Sequence, residues 1–292
     1  IYDKATPFDL SLTNTSKGRS TIISFDANKV FYADHGTYDL SLSYTYQDSK
    51  EVNPGNAFIA FEGYSQPASS DFQSDTLYNS EYEIPHAFSA NLGWEGEIFG
   101  NNVTRINLLY TARSGSHYSY TMDTAGAFGG FGSNFADWSE YNSQLLYVPT
   151  GADDPLVQFT NDEQRLAFDS FVSGNACLSG QRGQIAARHS CSSPWIQRLD
   201  LSVTQEIDIT DTQKIELYLD IQNFGNLLNS KWGRAESYPA TYLVPLTNST
   251  TIVDGVYNYD VNVANGELVV PQLTLAKVPS VWKAQIGVRY KF

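Results

Sequence analysis

No run in this sequence reaches the roughly 18 to 20 apolar residues that a membrane-crossing helix needs. If the chain crosses a bilayer, it must do so with strands. Positive charge is scarce: 18 lysines and arginines face 32 aspartates and glutamates, a net charge of −14. That balance argues against nucleic acid, whose phosphates need a basic surface, and against broad attraction to anionic small molecules. Histidine occurs four times, at His35, His86, His117 and His189. These positions are scattered over turns and loop edges and form no metal or nucleophile constellation. The two cysteines, Cys177 and Cys191, are compatible with an oxidising, extracytoplasmic setting. The first residue is Ile1, and no charged n-region or apolar h-region of a signal peptide precedes the strands. The chain is therefore expected to be either mature and processed or the tail of something longer.

Aromatic residues, in contrast, are plentiful: 19 Tyr, 16 Phe and 5 Trp among 292 residues. They suit interfacial girdles and sugar- or peptide-contacting loops equally. Mean hydropathy is −0.31, as expected where apolar and polar residues alternate. The clearest alternation closes the chain. Trp282, Ala284, Ile286, Val288, Tyr290 and Phe292 fall on one face of a period-2 strand, and Lys283, Gln285, Gly287, Arg289 and Lys291 on the other. In a soluble sandwich the oily face would meet a core. In a membrane barrel it meets lipid, with aromatics at both edges.

Similar alternation predicts strands around Phe8–Leu12, Ile23–Ala27, Tyr38–Tyr46, Phe88–Trp94, Ile106–Ala112, Leu199–Ile209 and Ile215–Ile221. With the closing strand these make about eight. Gln205 interrupts one oily face. Short turns are expected near Asp34, Asn101 and Asp211. Long connections are expected over 49–84, 116–193 and 223–279, so the long and the short ones sort to opposite ends of the sheet, as in outer-membrane barrels. Within the longest connection, Thr160 to Glu163 fits a capping box and predicts a short helix over 161–173. Asn265-Gly266 predicts a hairpin between Val256–Val263 and Glu267–Leu273. Asp260, Asn262 and Asn265 lack the closing glutamate of a calcium loop.

Eight segments, in shared order over nearly the whole chain, carry a family resemblance. They are LSYTYQD (42–48), YEIPHAF (82–88), ARSGSHYSY (112–120), LYVP (146–149), CLSGQRGQI (177–185), SCSSPWIQRLDL (190–201), IQNFGNLLN (221–229) and the terminal GVRYKF (287–292). Together they resemble the carboxy-terminal part of a TonB-dependent outer-membrane receptor of the Oar-like group. The resemblance implies a 22-stranded barrel, of which residues 1–292 would be the last eight strands, with long extracellular loops. Neither a plug domain nor a TonB box is recognisable. The plug and TonB would have to be engaged through residues missing from this chain. The ending resembles the signal read by the barrel-assembly machinery, with Val288, Tyr290 and Phe292 as its residues.

Cys177 and Cys191 flank a short segment of the longest loop and are expected to form a disulfide. Free thiols or a metal pair are the alternatives. Tyr118, Tyr120, Phe128, Phe131, Trp138, Tyr141 and Arg182 are the candidates for touching a ligand or partner, because aromatic faces stack on sugars and peptides and a loop arginine can clamp a carboxylate. The alternative is that they pack the loop's own small core. Arg198, Asp200, Glu206, Glu216, Asp220, Lys283 and Arg289 should face the barrel lumen.

The expected whole is an all-β chain of antiparallel transmembrane barrel strands, seated among the lipids of the outer membrane of a Gram-negative bacterium. It would take up an oligosaccharide, peptide or metal chelate without enzymatic activity, cofactor, metal or nucleic-acid partner. The rival readings are a small autonomous barrel acting as adhesin or passive pore, and a secreted carbohydrate-binding or glycoside-cleaving β protein. A cleaving enzyme would need two carboxylates across a cleft.

Overall fold

The structure is a computed structural model and describes residues 13–53, 55, 67–70, 74–123, 144–238 and 243–292. Strand accounts for 54% of the described residues and helix for 9%, which places the chain in the all-β class. Among the described residues, no helix is long and apolar enough to cross a membrane.

Seven long strands form the main sheet: β1 (Arg19–Ala33), β2 (Gly36–Glu51), β3 (His86–Phe99), β4 (Asn102–Arg113), β5 (Ile196–Asp208), β6 (Lys214–Gln222) and β7 (Lys283–Lys291). They lie side by side in chain order, and every neighbouring pair is antiparallel. This arrangement follows from the connections. Asp34-His35, Gly100-Asn101 and 209–213 are too short for anything but a turn back to the neighbour. At two of these turns Gly36 (φ 135°) and Gly100 (φ 61°) take up backbone that other residues avoid. All three short turns lie at one end of the sheet, and the long connections 52–85, 114–195 and 223–282 lie at the other, as the spacing predicted.

The predicted strand at Phe8–Leu12 lies outside the described residues. Among the described residues, the outer edges of β1 and β7 have no strand partner, so the sheet is open and no barrel closes.

The described parts of the long connections fold together into a loop body. Helix α1 (Asp162–Gly174) begins where the capping pattern placed it: the Asn161 side chain accepts a hydrogen bond from the Gln164 amide at 2.9 Å. It buries Ala167, Phe168 and Val172. Asn175 then caps the short helix α2 (Ala176–Ser179), accepting from the amides of Cys177 and Leu178. The predicted Asn265-Gly266 hairpin is much shorter than expected and joins only Val263–Ala264 to Glu267–Leu268. Val256–Asp260 pairs instead with Ser249–Val253, across a second two-residue turn at Asp254-Gly255, both at positive φ.

The buried core sits in this loop body. Leu146, Val148, Phe168, Val172, Leu178, Val244 and Tyr259 are almost wholly buried there. Cys177 and Cys191 form a disulfide, with their Cα atoms 5.7 Å apart, tying α2 to the strand that pairs with residues 117–118.

Candidate functional site

From β2 to β7 the two faces of the main sheet differ in chemistry; on β1, Lys29 interrupts the apolar face opposite Leu40. On one face the register aligns Leu40, Leu92, Leu108, Leu201, Ile221 and Ala284 in one row across six strands. The next row is Tyr38, Trp94, Ile106, Val203, Leu219 and Ile286. A face this apolar is ordinarily covered, yet Ile286 is 81% exposed, Val288 67% and Phe25 62%. Gln205, which interrupts the pattern, is accommodated by its neighbours: it accepts from the Thr104 hydroxyl and donates to the carbonyls of Val103 and Glu206.

Aromatic residues close both ends of this face. At the loop end the His86 ring stacks on Trp195 (6.1 Å, 7°) and on Tyr44, whose hydroxyl lies 2.9 Å from His86 Nδ1. At the turn end Phe31, Phe99, Tyr290 and Phe292 are exposed, and the last two stack at 5.9 Å. Val288 and Tyr290, two of the expected assembly-signal residues, thus stand on the apolar face of β7, and Phe292 follows just beyond its end. On the polar face of β7 Gly287 leaves room for the ring of Tyr218, which lies directly over it.

The polar face carries a charged ladder. Glu206 and Glu216 sit opposite one another across β5 and β6, a repulsive pairing unless cations intervene. Arg105 bonds Glu206 (2.8 Å) and Glu95 (2.6 Å), and Lys214 reaches Glu206 and Asp208. Arg289 and Lys291 hold Glu216 at 2.8 and 2.5 Å. Nearer the loops Arg198 pairs with Asp200 and Ser202 donates to Asp220. Glu206, Glu216, Asp220 and Arg289 therefore share one face, as their spacing predicted.

The candidate ligand residues have different places. Tyr118 and Tyr120 are buried in the loop body, 8% and 3% exposed. Their hydroxyls are 3.3 Å apart, Tyr118 packs on Tyr238 at 4.5 Å, and Asn175 donates to Tyr120. Burial pushes the Tyr238 hydroxyl up to about 12. Arg182 donates to the carbonyls of Pro149 and Asp169 and to the Ser173 hydroxyl, and pairs with the Asp169 carboxylate at 2.8 Å. Its guanidinium thereby clamps the loop to the last turns of α1. Phe128, Phe131, Trp138 and Tyr141 lie outside the described residues.

The loop body also holds groups that sequence reasoning did not bring together. His117 Nε2 lies 2.8 Å from the Glu83 carboxylate, both side chains 5% exposed, and Nδ1 lies 3.1 Å from the Ser192 hydroxyl. The Ser193 amide beside that hydroxyl is taken up by the Ser116 carbonyl at 2.9 Å, so it cannot serve a developing oxyanion. The Glu83 carboxylate also accepts from the Ser49 amide, and the trio pins three loop segments together. His189 is buried, and burial with the nearby Arg188 cation lowers its pKa to about 4. Burial alone would raise Asp154, but bonds from the amides of Thr150 and Leu156, the Thr150 hydroxyl and the Tyr147 hydroxyl hold it below the usual carboxylate value. Among the described residues, no cluster of three or more His, Cys, Asp or Glu side chains could hold a metal ion.

One cleft of about 460 Å³ opens where the loop body meets the apolar face. Its lining includes Tyr110, Trp195 and Trp232 together with Arg198, Lys231 and Arg234. Sequence reasoning placed only Arg198 among functional positions, because the cleft draws on two strands and a distant loop. Set against protein-family models, curated proteins and solved structures, the chain matches none of them.

Proposed function

We propose that this chain is the carboxy-terminal barrel segment of a TonB-dependent outer-membrane receptor. In this reading the apolar face of β1–β7 meets lipid, the charged ladder faces the lumen, and the loop body stands outside the cell. There it would help capture a bulky nutrient of the oligosaccharide, peptide or chelate class. Plug rearrangement and coupling to TonB would be supplied by residues these segments do not contain. Val288, Tyr290 and Phe292 would be read by the assembly machinery.

One observation carries the reading: the core is packed inside the loops while the broad face of the sheet is left bare. Water penalises exposed apolar surface by roughly 25 cal/mol per Å², so a water-soluble sheet turns that face inward. Lipid carries no such penalty. The open edges of β1 and β7 are also what a segment of a larger barrel would present, because unpaired edges invite further strands.

The test is refolding of the full chain in parallel in buffer, in detergent micelles and in lipid vesicles. The expected result is a folded, protease-resistant sheet only where micelles or vesicles are present. A monodisperse, fully folded chain in plain buffer would overturn the assignment.

A further inference from the structure

The cleft arises where two strands of unequal reach part. Pairing of β5 with β6 ends at Leu201 and Ile221, but β5 continues back to Ile196, held only on its β4 side. The segment after β6 folds against the free edge. Asn223 takes a left-handed conformation (φ 54°) and its amide donates to the Asp200 carboxylate at 2.7 Å. Its side-chain amide donates to the carbonyls of Gly233 and Pro279. Helix α3 (Phe224–Leu228) then packs Gly225 against Leu199 and Trp232.

This places three cations around one opening in a chain of net charge −14. Arg198 is paired with Asp200 at 2.9 Å and Arg234 with Glu236 at 2.6 Å. Lys231 has no ion-pair partner among the described residues, so the cleft keeps a surplus positive charge. Its lining includes two exposed indoles: Trp195 is 48% exposed and Trp232 56%. Trp195 also belongs to the aromatic belt that ends the bare face, through its stack on His86.

We propose that this cleft seats the headgroup phosphate of an anionic lipid. Lys231 and Arg234 would meet the phosphate oxygens, and Trp195 and Trp232 would lie at the boundary between headgroup and acyl chain. The proposal rests on the reading that the apolar face meets lipid. A free anion would explain the cations alone. The exposed indoles fit a phosphate that carries hydrocarbon, since indoles favour the membrane interface and each nearby cation attracts anionic headgroups.

The experiment uses the full chain in bilayer discs of phosphatidylcholine with a minor fraction of phosphatidic acid. Retained lipid is counted by native mass spectrometry, and quenching of tryptophan by brominated phosphatidylcholine reports bilayer contact. The wild-type chain should retain phosphatidic acid in preference to phosphatidylcholine. Lys231→Gln should weaken retention about fivefold, and Lys231→Gln with Arg234→Gln about 25-fold, with quenching unchanged. Undiminished retention in the double variant, with quenching intact, sinks the cleft assignment and leaves the barrel reading standing. Complete displacement by millimolar inorganic phosphate would show a site for free phosphate and would overturn the lipid assignment. Absence of quenching would sink the barrel reading and this proposal with it.

Discussion

Replacing Ile286 by arginine changes one side chain in the middle of β7, between Trp282 and Tyr290. Ile286 is 81% exposed and lies across from Leu219, so the substitution opens no cavity and breaks no contact inside a core. In water such a change is worth no more than about 0.5 kcal/mol. At the middle of a bilayer an arginine on the outer face of a barrel strand costs about 2 to 4 kcal/mol. That corresponds to roughly a 30- to 1,000-fold change in the unfolding constant. Gln285→Arg is the matched control: it sits one residue away on the polar face, opposite Asp220, where a new cation should be neutral or mildly stabilising. Urea unfolding of both variants from phosphatidylcholine vesicles, followed by tryptophan fluorescence, separates the two environments. The expected order is Gln285→Arg at or above wild type and Ile286→Arg well below it. Equal midpoints for the two variants would refute the argument that this face meets lipid.

Other consequences concern the loop body and the ladder. Below pH 6.5 the unfolded chain protonates His189, which the folded chain resists down to about pH 4. The stability of the loop body should therefore be full above pH 6.5 and fall by about 3 kcal/mol towards pH 4, measured by amide exchange of residues 186–192. A flat profile would show that His189 is not held neutral. Removing the disulfide with Cys177→Ser and Cys191→Ser should cost about 3 kcal/mol in the chain-entropy view, given the separation of 14 residues; thermal unfolding under non-reducing conditions measures it, and an unchanged midpoint would count against the bond. Arg105→Gln should lower stability by about 1 kcal/mol at low salt and by less at 1 M salt; an effect that ignores salt would mean the arginine acts by packing alone.

The strands were legible because a sheet writes its two faces into every second residue. That pattern located all seven described long strands, and the turn chemistry at Asp34, Asn101 and Asp211 placed the short connections at one end. The loop body was not legible in the same way. Its core joins Tyr120, Leu146, Phe168, Val244 and Tyr259 from two separate connections, neither of which has a period to read. The start of helix α1 is local and was found to within one residue, with Asn161 as the cap in place of Thr160. The contact between Glu83 and His117 spans 34 positions and has no local trace. Tyr118 and Tyr120 look in sequence like displayed aromatics, since only packing distinguishes a displayed ring from a buried one. The hairpin at Asp254-Gly255 did carry a readable turn signature, outweighed by the Asn265-Gly266 pair that follows it.

The facing carboxylates of Glu206 and Glu216 have a consequence for the order in which the sheet is completed. A hairpin of β5 and β6 alone holds these two like charges together with Lys214 beside them. Arg289 and Lys291 arrive only with β7, so docking of the closing strand removes a repulsion that exists beforehand. A slip of two residues that set Gly287 opposite Glu216 would keep the apolar face outward but carry Arg289 on to Lys214, leaving the repulsion in place. The ladder thus acts as a proofreader, rejecting registers that hydrophobicity alone would accept.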